Sequence, residues 1–130
     1  MLMTNMGCQW LQTWVDEKPE KGWAPGLQWK IAKVHTFFGR AYQASLSFEK
    51  YYKNYSKIDP VKAAEAEYME LSSLRDCEQF ELCYEKVQDY LDRNDPENPL
   101  AKNWYERALF LETSLKTMPE SKRINHPIYD

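Results

Sequence analysis

The side chains that could do chemistry are few and scattered. Two histidines, His35 and His126, and three cysteines, Cys8, Cys77 and Cys83, are the donors a zinc site would draw on. Their spacings match no compact ligand pattern, so no metal is expected. Cys77 and Cys83 are six positions apart, about 240° around a helix, so one helix cannot join them in a disulfide. Buried, reduced thiols are the expectation, in keeping with the cytoplasm. Carboxylates are plentiful at Glu65, Glu67, Glu70, Glu78, Glu81 and Glu85. Acid–base catalysis needs two of them in one cleft with environments that push their pKa values apart, whereas this spacing describes a solvated helical face. His35 lies in an apolar segment and reads as a packed or surface histidine rather than a base. None of the four glycines belongs to a GxGxxG or GxSxG arrangement, so no phosphate-cradling loop or nucleophile elbow is present. The expectation is a protein that is not an enzyme, with no catalytic residue and no cofactor.

The elements that would position these residues are helices, because three- and four-residue apolar steps recur between Pro-containing turns. Met6, Trp10, Leu11, Trp14 and Val15 predict a short amphipathic helix over 5–16, and Pro19, Gly22, Pro25 and Gly26 a loop over 18–26. A long helical stretch follows from Leu27 to about Tyr55, with Gly39 inside it. An interior glycine marks either close packing by another helix or a nearby break. Asp59-Pro60 is an N-cap followed by proline at the first helical position, and Asn98-Pro99 repeats the arrangement. Asp76 with Gln79 resembles a capping box opening a helix that Arg93-Asn94-Asp95-Pro96 stops. Leu100, Trp104, Ala108, Leu111 and Leu115 form the cleanest apolar stripe, ended by Pro119, and residues 119–130 read as a loosely held polar tail. The predicted core comprises Ile31, Phe38, Leu71, Phe80, Val87, Leu91, Trp104, Ala108 and Leu111, with the Trp104 indole enclosed.

Length and composition suit one helical domain over 1–130, with its helical core in 27–118: the chain has 130 residues, 43% hydrophobic and 28% charged. Aromatics make up 15%, an excess that suits a thick core or a binding face. The net charge of −3 argues against nonspecific nucleic-acid binding. It is unevenly distributed: residues 1–60 carry +3, residues 61–97 carry −7 and residues 98–130 carry +1. The segment 28–57 interleaves Lys30, Lys33, Arg40, Lys50, Lys53 and Lys57 with eight aromatic rings, a mixture that can bind nucleic acid but more often marks the wet face of a packed helix. No apolar stretch approaches the roughly 20 residues that span a bilayer, and the N-terminus has no basic-then-apolar layout. A soluble, cytoplasmic protein with no membrane span is expected.

Three segments share a bulky, small, bulky pattern: His35, Gly39 and Tyr42; Tyr68, Ser72 and Arg75; Trp104, Ala108 and Leu111, at offsets of 33 and 36 residues. Together with Gly39-Arg40-Ala41-Tyr42, the Tyr90 to Pro96 ending and the Trp104/Ala108 spacing, this resembles the tetratricopeptide repeat over residues 30–115, a helix-turn-helix unit of about 34 residues. The resemblance implies antiparallel helix pairs in a right-handed helical repeat; the alternative is a four- or five-helix bundle in which 27–57 is one helix. It also implies a concave groove that binds another protein as a peptide or a helix. Its groove-facing positions would be Lys33, Thr36, Arg40 and Gln43; Ala66, Met69 and Ser73; and Lys102, Tyr105 and Leu109. Arg40, Met69 and Tyr105 would touch the partner. The expected function is therefore a protein-interaction module, an adaptor or chaperone-like binder; alternatives are a structural or self-associating subunit, and a nucleic-acid-binding protein using 28–57.

Overall fold

Apolar residues at helical spacing give six α-helices and no strand among the residues that the computed structural model describes, 5–128. They are α1 (Asn5–Glu17), α2 (Ala24–Phe37), α3 (Ala41–Tyr55), α4 (Pro60–Asp76), α5 (Phe80–Arg93) and α6 (Lys102–Lys116). The all-α class expected from the periodicity is present, and each helix packs on the next in sequence, with α4 also touching α6. Near the start of α2, Trp29 meets Phe48 and Tyr51 in the second half of α3 edge-on. These two helices therefore run antiparallel.

The stretch from Leu27 to Tyr55 is two helices, not one, and the break is local chemistry. Gly39 takes a left-handed φ of 73°; its N–H donates to Thr36 O and that of Arg40 to His35 O. This paired 5→2 and 6→1 closure satisfies the last carbonyls of α2 and turns the chain. The same closure ends α4, where Glu78 N–H donates to Arg75 O and Gln79 N–H to Leu74 O. There the left-handed residue is Glu78, at φ 62°, a conformation that costs a side-chain-bearing residue about 1–2 kcal/mol. Part of that is offset by the extra freedom glycine has when unfolded. Glu78→Gly should therefore stabilise the protein by about 0.5–1 kcal/mol, read as a raised urea midpoint with an unchanged slope.

Other helix ends divide between expected and unexpected. Asp59 caps α4 as its sequence indicates, accepting from Lys62 N–H at 3.0 Å with Pro60 in the first turn. Asn98-Pro99 does not open α6: Asn98 Oδ1 accepts from Leu100 N–H in an Asx turn, and the helix begins later, at Lys102. α2 begins at Ala24, inside the predicted loop, because Pro25 fits the first turn of a helix. The Asp76/Gln79 capping box is absent, since Asp76 is the last residue of α4 and Gln79 makes no side-chain cap. Its role passes to the C-terminal segment. Ile124 O accepts from Phe80 N–H, and Asn125 Oδ1 from Leu82 N–H at 2.9 Å. The Gln79 amide donates to His126 O, and the His126 ring lies edge-on to Phe80. The described part of the predicted loose tail is thus strapped over α5, because the orphan N–H groups of that helix need acceptors.

The core consists of two clusters that share α4. Cys8, Val15, Ala24, Ile31, Phe48, Tyr51 and Tyr55 join Ala63 and Ala66 in the first. Leu71 and Leu74 join Cys83, Val87, Tyr90, Ala108, Leu111 and Leu115 in the second. Of the predicted core, Ile31, Leu71, Val87, Ala108 and Leu111 are buried, while Phe80, Leu91 and Trp104 are partly buried at the margin of the second cluster. Trp104 is not enclosed; it stacks on Tyr68 with Arg107 over its ring. Phe38 is exposed, because it caps α2 in the turn, where its ring lies edge-on to Phe37 and under the Arg40 guanidinium.

Candidate interaction surface

At about 100° per residue, α1 carries two apolar stripes on opposite sides rather than one. Cys8, Leu11 and Val15 face inward, where Cys8 and Val15 are buried and Leu11 packs on the first core cluster. Met6, Trp10 and Trp14, at four-residue steps, face outward and are 73%, 70% and 53% exposed. Trp23, just before α2, is 46% exposed and with Trp14, Glu17 and Lys18 lines a cleft of about 300 Å³.

The inner side of α1 is held by polar bonds that fix the outer side in place. Gln12 and Gln28 exchange amide hydrogen bonds at 2.7 and 3.1 Å, and Gln28, fully buried, also donates to Ser47 O on α3. Lys50 on α3 pairs with Asp16 at 3.0 Å, and Tyr55 OH donates to Pro19 O. At the other end Arg40 donates to the Cys8 thiol sulfur and, through Nε at 2.9 Å, to His35 Nδ1. His35 is buried, and burial with the neighbouring guanidinium lowers its pKa to about 4. The ring is thus a neutral acceptor.

Where α3, α4 and α5 meet, the acidic stretch of the sequence forms a clamp. Lys86 Nζ lies 2.7 Å from Glu49 Oε2 and 2.8 Å from Glu70 Oε2, and Tyr52 OH donates to Glu70 Oε1 at 2.7 Å. Burial pushes the Glu70 carboxyl up, opposed by the Lys86 and Tyr52 bonds. Burial also raises Glu49, but its hydrogen bonds with Lys86 and Glu70 and the charges of Lys86 and Lys53 carry it below the usual carboxylate range. Two carboxylates with opposed shifts are the sign of an acid–base pair. Here a lysine bridges them, and the adjoining space of about 40 Å³ has room for about one water. Arg93, beside it, is held by Glu67 and Asp89 at 2.7 Å each. The cluster ties three helices together.

The positions expected to line one groove are not all open to solvent. Because Gly39 lies in a turn, His35, Gly39 and Tyr42 straddle two helices, and the bulky, small, bulky spacing does not describe a single helix in its first copy. Lys33 and Thr36 are exposed on α2, with Lys33 over the Trp29 ring and Thr36 bonded back to Ala32 O. Arg40 lies in the turn and Gln43, half-buried, on α3. On α4, Ala66 and Ser73 are buried, and Met69 packs against the first core cluster. Ala66 and Ser73 are closed to a partner because α4 is shared by both clusters. On α6, Lys102 and Leu109 are exposed, while Tyr105 packs on the second cluster beside Tyr90. The aromatics of 28–57 are also turned inward: Phe48, Tyr51 and Tyr55 are buried, and Trp29 and Tyr52 pack against them. Only Phe37 and Phe38, at the α2–α3 turn, present exposed rings in that segment. The outward stripe of α1 was legible, since Met6, Trp10 and Trp14 fall on the side of a helix opposite Cys8, Leu11 and Val15.

Among the described residues no helix is long and apolar enough to cross a membrane, and no three His, Cys, Asp or Glu side chains group as a metal site. No protein-family model, curated protein or solved structure matches the chain.

Proposed function

We propose that the protein is a protein-interaction module, an adaptor without catalytic activity, whose docking face is the outer side of α1 together with Trp23. Its partner supplies an amphipathic helix. The observation that carries this reading is the Met6, Trp10, Trp14 stripe on a helix whose other side is already committed to the core. An edge helix in a helical stack ordinarily presents a polar outer face. A run of large apolar side chains there instead marks a surface that another protein covers. Tryptophan and methionine suit the task, the first as a rigid anchor and the second as an adaptable contact. The bonds from Gln12, Asp16 and Cys8 to α2, α3 and the turn between them hold this face in shape before a partner arrives, so little ordering is required on binding.

The test is a photo-reactive amino acid placed at position 10 of the intact chain in its native host, with position 113, exposed on α6, as control. Adducts at position 10 and none at position 113 are expected. An absence of adducts at position 10, or equal yields at the two, overturns the assignment.

A further inference from the structure

We infer that the helix docking on α1 is α1 of a second copy, so that the protein forms a two-fold dimer through this face. The inference rests on the reading of α1 as a docking surface and names its occupant.

Three observations select a second copy. The first is self-complementarity. Met6 and Trp14 stand four residues either side of Trp10, so an axis through Trp10 relating two antiparallel helices sets each Met6 against the other copy's Trp14 and the two Trp10 rings together. Thioether-on-indole and indole-on-indole contacts are both favourable. An isologous contact requires this correspondence of a patch with itself.

The second is charge. From Asn5 to Val15 the helix has no charged residue, so the contacts made by Met6, Trp10 and Trp14 bury no ion and oppose no like charges. The nearest charges on this side are Glu17 and Lys18, of opposite sign, which line the cleft with Trp14 and Trp23. The first acid, Asp16, is paired to Lys50 within its own chain.

The third is area. At their exposures of 73%, 70%, 53% and 46%, Met6, Trp10, Trp14 and Trp23 present roughly 500 Å² per copy, given the size of such side chains. Fully covered, two copies would bury at most about 1,000 Å², the lower limit for a specific interface and the size class of weak, reversible association. The four residues therefore supply enough surface for a reversible dimer.

Sedimentation equilibrium of the full chain over a wide concentration range tests this. The weight-average mass should rise from that of one chain, 15.5 kDa, to about twice that value by mass action. Trp10→Asp would bury an aspartate against its own copy, so it should weaken association by at least about tenfold while leaving the helical circular dichroism unchanged. Met6→Asp, at a more exposed position, should do the same and serves if the first variant misfolds. A wild-type mass of one chain at every concentration overturns the dimer, as does a dimer that survives both substitutions. If the chain stays monomeric while position 10 cross-links to a different protein, the docking face stands and the second copy is wrong. If position 10 cross-links to nothing, both fall.

Discussion

Replacing Lys86 by methionine should destabilise the protein by about 2–3 kcal/mol, below the usual cost for a fully buried charge pair because Lys86 and Glu49 are partly exposed. Methionine keeps the apolar stem, so the loss reports the charge. Glu70 would remain buried, with only Tyr52 donating to it, and Glu49 would lose the nearest of its two lysines. The sign with pH follows from the two shifts. Glu70 has a folded pKa above its ordinary value, so it withdraws stability as pH rises through the carboxylate range. Glu49 has a depressed folded pKa and contributes stability that is lost as pH falls. In the wild type these slopes oppose. Without Lys86 the Glu70 carboxyl rises further and Glu49 is released, so the variant should lose stability as pH rises from about 4 to 7. Adding Glu70→Gln should recover much of the loss, because a neutral amide needs no counter-ion. Urea denaturation across this range measures all three proteins, and a loss below about 1 kcal/mol for Lys86→Met, the level of a surface pair, would contradict the clamp.

Acid should weaken the protein earlier than its carboxylates alone require, through His35. Its folded pKa is lowered from 6.5 to about 4, so between those values the unfolded chain binds a proton that the folded one refuses. The stability this group contributes is fully present above its unfolded pKa and is lost as pH falls toward 4, by at most about 3 kcal/mol. His35→Gln keeps an acceptor within reach of Arg40 but cannot titrate. The variant should lose that part of the pH slope between about 6.5 and 4, and an unchanged slope would show that His35 is not buried as a neutral ring.

How much of this was legible depends on the range of the interactions involved. The helical class follows from spacing, and the start of α4 from Asp59-Pro60, because a cap and a first-turn proline act within four residues. The break at Gly39 was foreseen only as one of two outcomes. Glycine inside an apolar stretch permits a left-handed turn but does not require it, and what decides is how tightly α2 and α3 pack across the turn. The strap of Asn125 and His126 over α5 joins residues more than forty positions apart, and nothing near Gln79 announces it. The expected groove used repeat spacing that the Gly39 turn interrupts, and it assigned Ala66 and Ser73 to an accessible face although α4 is enclosed by two clusters. Met69 on α4 and Tyr105 on α6 were sought as partner contacts and pack instead against the first and second clusters. The outer side of α1 needed no long-range information: listing Met6, Trp10, Leu11, Trp14 and Val15 as one stripe concealed that they occupy two.

Covering α1 reorders the importance of the exposed aromatics. Phe37 and Phe110 are more exposed than any tryptophan, yet Phe37 lies at a turn and Phe110 on the far helix α6, and neither continues the stripe. Hydroxyl-radical footprinting of the full wild-type chain therefore tests the central claim most directly, comparing dilute protein with the associated state, whether formed with itself or with a partner that cross-linking has identified. Labelling of Met6, Trp10, Trp14 and Trp23 should fall sharply on association, while Phe37 and Phe110 label as before. Protection of Phe110 and Leu109 with α1 still fully labelled would contradict the account and move the interface to α6.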